Sequence, residues 1–298
     1  MIKIKIAVTG ANGQLGSDIV RVFKEKHTVI PLTRKEIDIT VEEEVNKLIE
    51  YTPDVIIHTA AYTDVDGCER NPNKAFKVNT IGTYNLIRAS LQFNPIFVYI
   101  STDYVFDGNK KRKYSEVDIP NPINIYGLSK YNGEILVRNH LKKYYIIRVS
   151  YLFGIKGATN KEVSNFVDYV IENLKHNKKM KMVSDNLISP TYTKDVAKAL
   201  LQMLEKKLPF GIYHITNNKN AMSTYKFAQE ITKVYDPSKT YLITPIKYVE
   251  YKPFAKRPKY SALSISKIKK YDIEIRTLFD ALKEYILEKH KNKPYSTQ

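Results

Sequence analysis

Tryptophan is absent from the 298 residues, and cysteine occurs once, at Cys68. A single thiol excludes an internal disulfide. The six histidines are scattered without metal-ligand spacing, so no metal site is read from them. No apolar run reaches the length of a membrane-spanning helix. The amino terminus, Met1-Ile2-Lys3-Ile4-Lys5-Ile6, alternates like a strand and lacks the apolar centre and cleavage site of a signal peptide. Neither an internal repeat nor a low-complexity segment occurs. These absences predict a soluble, cytoplasmic protein with no membrane partner.

Apolar residues make up 43% of the chain, an ordinary share for a globular protein. Its length suffices for one large domain, or for one of about 150 to 200 residues plus a smaller one. Lysine and arginine number 48 against 31 acids, a formal charge of +17. Nucleic-acid binding would account for that excess, but no helix-turn-helix, RNA-recognition or zinc pattern accompanies it, so no nucleic-acid partner is expected. A basic groove for phosphate-bearing small molecules and a lysine-rich proteome account for it equally well.

Apolar strand patterns at Lys3–Thr9, His27–Leu32, Val55–Ala60, Ile96–Ile100 and Tyr144–Val149 alternate with helical patterns at Ser17–Lys26, Val41–Tyr51, Pro72–Phe93 and Tyr126–His140. Such alternation predicts an α/β fold with a doubly wound parallel sheet, Rossmann-like. Residues 1–155 are expected to form a dinucleotide-binding domain. Residues 156–298 are expected to form mainly a smaller C-terminal substrate-binding region. Within it, a helix near 193–205 and a strand near 211–215 return to the sheet. The stretch Tyr241–Ser261 holds Pro245, Pro253 and Pro258 among aromatic and basic residues, and reads as a loop lining a substrate site. The polar tail from His290 reads as frayed.

Gly10, Asn12, Gly13, Gln14, Leu15 and Gly16 form a turn after the first strand and before the first helix. Glycines there allow a tight turn, a close backbone approach to a pyrophosphate and a helix packed near the sheet, and the helix N-terminus stabilises the phosphates. After the second strand comes Leu32-Thr33-Arg34-Lys35, with cations where a carboxylate would serve the ribose of NAD. Arg34 is therefore read as a 2′-phosphate contact, and NADP(H) is preferred over NAD(H). Glu36 leaves NAD(H) open. Asp38 and Ile39 are expected along the adenine edge, and Ala60, Ala61 and Tyr62 against the cofactor where the third strand ends.

Tyr126 and Lys130 lie one helical turn apart on one face, with Thr102 upstream at a strand end. A free phenol has a pKa of about 10, and a nearby ammonium stabilises the phenolate and lowers that value. Lowering it by roughly three units takes about 4 kcal/mol of differential interaction. Thr102 can hydrogen-bond a carbonyl oxygen while hydride reaches its carbon and Tyr126 delivers the proton. Thr102, Tyr126 and Lys130 are thus the candidate catalytic residues of an oxidoreductase, and Tyr126 and Lys130 are also expected to contact the cofactor.

These residues carry a resemblance. Thr9-Gly-Ala-Asn-Gly-Gln-Leu-Gly16 and Pro122-Ile-Asn-Ile-Tyr-Gly-Leu-Ser-Lys130 with Gly133-Glu134 resemble the extended short-chain dehydrogenases/reductases. Pro53-Asp-Val-Ile-Ile-His-Thr-Ala-Ala-Tyr-Thr-Asp-Val-Asp66 and Ser101-Thr-Asp-Tyr-Val-Phe-Asp-Gly108 are more specific, and with Lys256-Arg-Pro258 they resemble the dTDP-4-dehydrorhamnose reductase branch. The resemblance implies reduction of a nucleotide-linked 4-keto-6-deoxysugar, with Thr102 and Asp103 as substrate contacts. Where many members carry a tryptophan against the sugar, this chain has Tyr151, which keeps an aromatic face. Arg257, restrained by Pro258, is expected to receive the diphosphate of the nucleotide-sugar partner. A homodimer is compatible with this reading.

Two alternatives share the fold. A sugar-nucleotide epimerase or dehydratase is one, but such dehydratases typically follow the Thr-Asp pair with a glutamate, and here Tyr104 follows Asp103. The other is a non-catalytic regulatory subunit like that of methionine adenosyltransferase, against which the intact Thr102, Tyr126 and Lys130 set argues.

Overall fold

The computed structural model describes residues 3–155, 165–217 and 221–291. The tail expected to fray begins at the end of that set, and its last residues lie outside it.

Five strands follow one another through the first half: β1 (Lys5–Thr9), β2 (Thr28–Leu32), β3 (Val55–His58), β4 (Ile96–Thr102) and β5 (Tyr144–Val149). Four lie in the second: β6 (Leu152–Phe153), β7 (Met180–Val183), β8 (Thr191–Tyr192) and β9 (Gly211–His214), with β10 (Ile243–Ile246) after them. The main sheet runs β2-β1-β3-β4-β5-β9, and every pairing in it is parallel. All four residues of β3 are buried, as are the last four of β1, because helices cover both faces. On one face the Gln14–Lys24 helix packs Leu15, Ile19 and Phe23 against Val196, Ala197 and Leu200 of the Thr193–Glu205 helix. On the other, Leu86 and Ile87 of the Gly82–Ser90 helix and Val137 of the Ile125–His140 helix meet Ile56, Phe97 and Tyr99.

The connection after β1 leads outward to β2, and the next crosses back over β1 to β3. The strand order therefore reverses between β1 and β3, which opens a crevice at their carboxyl ends where ligands bind in such sheets.

Two helical expectations break into pieces. The segment expected to be helical over 41–51 forms two short helices, Glu42–Val45 and Leu48–Tyr51, which deliver Val45 and Leu48 to the core. The long helix expected over 72–93 runs as Pro72–Phe76, a wider π-helical turn over Lys77–Ile81, and Gly82–Ser90. The wider turn holds Asn79, whose buried amide bonds both backbone groups of Tyr62.

Beyond β5 the chain builds a second apolar cluster. Phe153, Val170, Leu174, Phe227, Ile231 and Leu282 meet there, contributed largely by the Phe166–Lys175, Thr224–Tyr235 and Leu278–Lys291 helices. β7 pairs in parallel with β10, and β6 with β8, while β9 pairs with β5 at the edge of the main sheet. No helix among the described residues is long and apolar enough to cross a membrane.

Candidate active site

The glycine turn sits at the β1–β3 crevice. Gly10 has φ +67°, and a Cβ there would lie 2.7 Å from the Ala60 backbone nitrogen; one on Gly16 would lie 2.2 Å from the Gly10 carbonyl oxygen. Backbone thus packs directly on backbone, and Thr59 secures it by donating to the Thr9 carbonyl at 2.6 Å. The Gln14–Lys24 helix starts at Gly13 with no side-chain cap and no acid in its first turn. Its leading N–H groups and positive dipole end remain available to an anion, so these residues fit a pyrophosphate.

A cleft of about 500 Å³ opens over this turn. It brings Gly13, Gln14, Leu15, Gly16 and Ala61 together with Thr102, Asp103, Tyr126, Lys130 and Tyr151. Gly10 and Ala60 lie beneath it in mutual contact, and Asn12 is exposed on the turn. Ala11 donates to the Leu32 carbonyl at 3.2 Å, so the end of β2 stands beside the turn. Arg34 follows, with its side chain 82% exposed and its guanidinium 2.9 Å from Asp38. Ile39 is a core residue: it packs under the Gly82–Ser90 helix, where a Cβ on Gly82 would meet it at 2.8 Å. Tyr62 lies outside the cleft, with the Lys74 ammonium 4.5 Å from its ring centroid.

The Ile125–His140 helix carries Tyr126 and Lys130. Asn124 caps it, accepting from the Gly127 backbone nitrogen at 2.8 Å, and Glu69 accepts from Ile125 at 3.0 Å. Gly127 crosses the Asp103–Val105 turn so closely that a Cβ would come within 2.1 Å of the Tyr104 carbonyl oxygen. This contact sets the depth of Tyr126. Thr102, at the end of β4, lines the same cleft as Tyr126 and donates its hydroxyl to Asp103 at 3.2 Å, and the Tyr104 ring meets Tyr126 edge-on at 5.9 Å.

Burial dominates the electrostatics. Instead of the lowering expected from Lys130, burial pushes the Tyr126 phenol up, with the neighbouring Thr102 hydroxyl pulling the other way. Lys130 is itself buried, 4.2 Å from the Tyr99 ring centroid, and desolvation lowers it to about 7 against the pull of Glu134. Glu134 is held by Arg148 at 2.9 and 2.6 Å and by Ser101 at 2.5 Å. Burial likewise raises Asp103 to about 6, although Ser150 and Thr102 donate to it at 2.8 and 3.2 Å.

A second pocket of about 360 Å³ adjoins the cleft, and Tyr104 and Tyr151 line both. Tyr151 has φ +48°, a conformation unusual for a bulky residue, and its ring packs edge-on to Phe166 at 5.3 Å. Arg257 lines this pocket, its Nη1 2.9 Å from Asp66 and 2.8 Å from the Ala255 carbonyl. The sequence reading missed Asp66, Asn124, Phe166 and Lys181, and it noticed Tyr104 only as the residue that stands in place of a glutamate. Their partners or pocket neighbours come from distant segments, so no spacing announces them.

A family model described as the RmlD substrate binding domain matches residues 4–290. The chain belongs to that family. Its relatives include the spore coat polysaccharide biosynthesis protein SpsK of Bacillus subtilis, 38% identical over 96% of this chain and 98% of that protein. A crystal structure of a dTDP-4-dehydrorhamnose reductase from Clostridium acetobutylicum superposes with TM-score 0.89 at 39% identity, covering 96% of this chain and all of that one, 100%. The dTDP-4-dehydrorhamnose reductase of Bacillus anthracis, solved in complex with NADP, superposes with TM-score 0.86 at 34% identity, covering 96% and 100% of the two chains. The six-stranded parallel sheet and its flanking helices are thus the fold of this RmlD-type family.

Proposed function

We propose that this chain is a cytoplasmic NADPH-dependent oxidoreductase that reduces the 4-keto group of a nucleotide-linked 6-deoxysugar, converting dTDP-4-dehydrorhamnose to dTDP-rhamnose. One observation carries the reading: Tyr126 lines the glycine-turn cleft with Thr102 and Lys130 and packs edge-on to Tyr104, which with Tyr151 lines both that cleft and the aromatic pocket. Ligands in the two spaces would meet beside these rings. Membership of the RmlD family and the NADP complex of its Bacillus anthracis relative support the choice of substrate and cofactor.

The dinucleotide supplies hydride; the chain supplies the remainder. Gly10–Gly16 and the open helix N-terminus receive the pyrophosphate. Arg34, at the end of β2, receives the 2′-phosphate in exchange for its pairing with Asp38. A phenol raised by burial is protonated at neutral pH, which is the form a proton donor needs. Tyr126 gives that proton to the ketone oxygen while Thr102, turning its hydroxyl away from Asp103, donates a second hydrogen bond to the same atom. Lys130, within the same cleft, stabilises the resulting phenolate. Asp103 and the Tyr151 ring bound the sugar, and Arg257 receives the diphosphate, for which it must leave Asp66.

The test is direct. Purified protein is mixed with NADPH and dTDP-4-dehydrorhamnose, cofactor oxidation is followed by absorbance, and the sugar product is identified. Stoichiometric oxidation with formation of dTDP-rhamnose is expected. Sugar conversion without net cofactor consumption would make the chain an epimerase or dehydratase, and no turnover at all would leave the regulatory reading.

A further inference from the structure

Asn124 is buried and makes two hydrogen bonds in opposite directions. Its Oδ1 accepts from the Gly127 nitrogen at 2.8 Å, and its Nδ2 donates to the Lys256 carbonyl at 2.8 Å. The first bond caps the helix that carries Tyr126. The second reaches the residue before Arg257, in the loop that lines the aromatic pocket. Other contacts fasten that loop on the same side. Asp66 accepts from the Ala255 nitrogen and from Arg257, both at 2.9 Å, and the Arg70 guanidinium lies 5.0 Å from the Phe254 ring centroid. Asn124 bonds the loop and the catalytic helix with one side chain, whereas the helix of Asp66 and Arg70 reaches the catalytic helix through a separate residue, Glu69.

We propose that Asn124 is a positioning residue that docks the Arg257 loop onto the N-terminus of the catalytic helix, so that sugar-nucleotide binding and the placement of Tyr126 are joined through one side chain. The inference rests on the functional reading above for its ligand, but not for the docking. A cap alone is served equally by aspartate or serine, which accept from the same backbone nitrogen. An amide differs in presenting an acceptor and a donor together in fixed geometry. The orientation is unambiguous: the Gly127 nitrogen needs an acceptor and the Lys256 carbonyl needs a donor, so only one placement of the amide satisfies both. A loop already docked before ligand arrives spends less of its binding free energy on ordering.

The two bonds can be separated. Asn124→Asp keeps the cap and loses the donor, setting a carboxylate against the Lys256 carbonyl; Asn124→Ala loses both. Hydrogen exchange is measured first, on the full ligand-free chain. In Asn124→Asp, peptides covering 251–258 should exchange faster than in wild type while those covering 125–140 stay protected. In Asn124→Ala both should accelerate. Kinetics with NADPH and dTDP-4-dehydrorhamnose follow. Asn124→Asp should raise KM for the sugar nucleotide by about 3- to 10-fold, the range expected for one lost hydrogen bond, with a smaller change in kcat. Asn124→Ala should lower kcat as well. Should Asn124→Asp fail to fold, Asn124→Ser, which caps but is too short to reach the loop, replaces it. Wild-type exchange at 251–258 in the cap-retaining variant, or a loss of kcat with unchanged KM, overturns the docking role. If wild type fails to reduce the keto sugar, the functional reading falls while the exchange result still decides the docking.

Discussion

Gly127→Ala tests whether the depth of Tyr126 is set by a backbone contact. Two effects oppose each other. Alanine is the better helix former, by roughly 0.5–1 kcal/mol over glycine. Against that, its Cβ would sit 2.1 Å from the Tyr104 carbonyl oxygen, so the helix start and the Asp103–Val105 turn must separate by about 1 Å to restore an ordinary contact. A backbone carbonyl cannot rotate away as a side chain can, and overpacking of this kind costs about 1–3 kcal/mol. The clash therefore outweighs the propensity gain, and a modest fall in Tm is expected. The larger consequence is catalytic. Thr102 and Tyr126 line one cleft from opposite sides of that contact, so the same displacement moves the phenol away from Thr102. A misplacement of about 1 Å costs on the order of 10² in rate. Steady-state kcat, cofactor Kd by titration and Tm by circular dichroism should show kcat reduced by about that factor with Kd nearly unchanged, since the glycine turn packs on Thr59 and Ala60 and takes no part in the clash. A variant with kcat within about threefold of wild type and a raised Tm would refute the argument, because propensity would then have outweighed the contact.

Three further outcomes follow from the site. Tyr126→Phe should keep the fold and cofactor affinity and cut kcat by about 10² to 10⁴, the usual worth of a general acid; near-normal turnover would remove the phenol from the chemistry. Arg34→Ala should lower the NADPH-over-NADH ratio of kcat/KM by about tenfold, an effect that shrinks in high salt because the side chain is 82% exposed. A ratio that does not move would assign the 2′-phosphate elsewhere. Lys130→Met should abolish turnover yet stabilise the fold at pH 6 by about 1–3 kcal/mol. Burial lowers this lysine from 10.5 to about 7, so the unfolded chain binds the extra proton between those values and wild-type stability rises with pH across that window. Denaturant midpoints should thus differ most below pH 7 and converge near pH 10.5; a constant difference would mean that the charge is not the cause.

Features that depend on near neighbours in the chain were readable at once. A glycine turn between an apolar strand and a helix needs only a few adjacent residues, because tight turns and helix starts are local events. The same holds for Tyr126 and Lys130, brought to one face by the helical repeat itself. Alternating strand and helix patterns announced the doubly wound sheet, since burial on both faces demands continuous apolar strands. Local reading fell short where packing overrode propensity. The segment over 72–93 carries a π-helical turn that lets Asn79 reach Tyr62, and Ile39, expected beside a cofactor, fills the core under Gly82.

Tertiary structure alone decided the electrostatics and the far side of the site. Spacing correctly brought Lys130 and Tyr126 into one cleft, but the direction of each pKa depends on how much water the surrounding fold excludes, and burial reversed the expected lowering of the phenol. Asp66 meets Arg257 across 191 residues of sequence, and Asn124 meets Lys256 across 132. No periodicity relates such positions. They become neighbours only after the sheet has ordered the carboxyl ends of its strands and the second apolar cluster has turned its loops toward them. A chain's local pattern can therefore announce the pairing of Tyr126 with Lys130, whereas the contacts that hold the wall of the adjoining aromatic pocket exist only once the whole fold has closed.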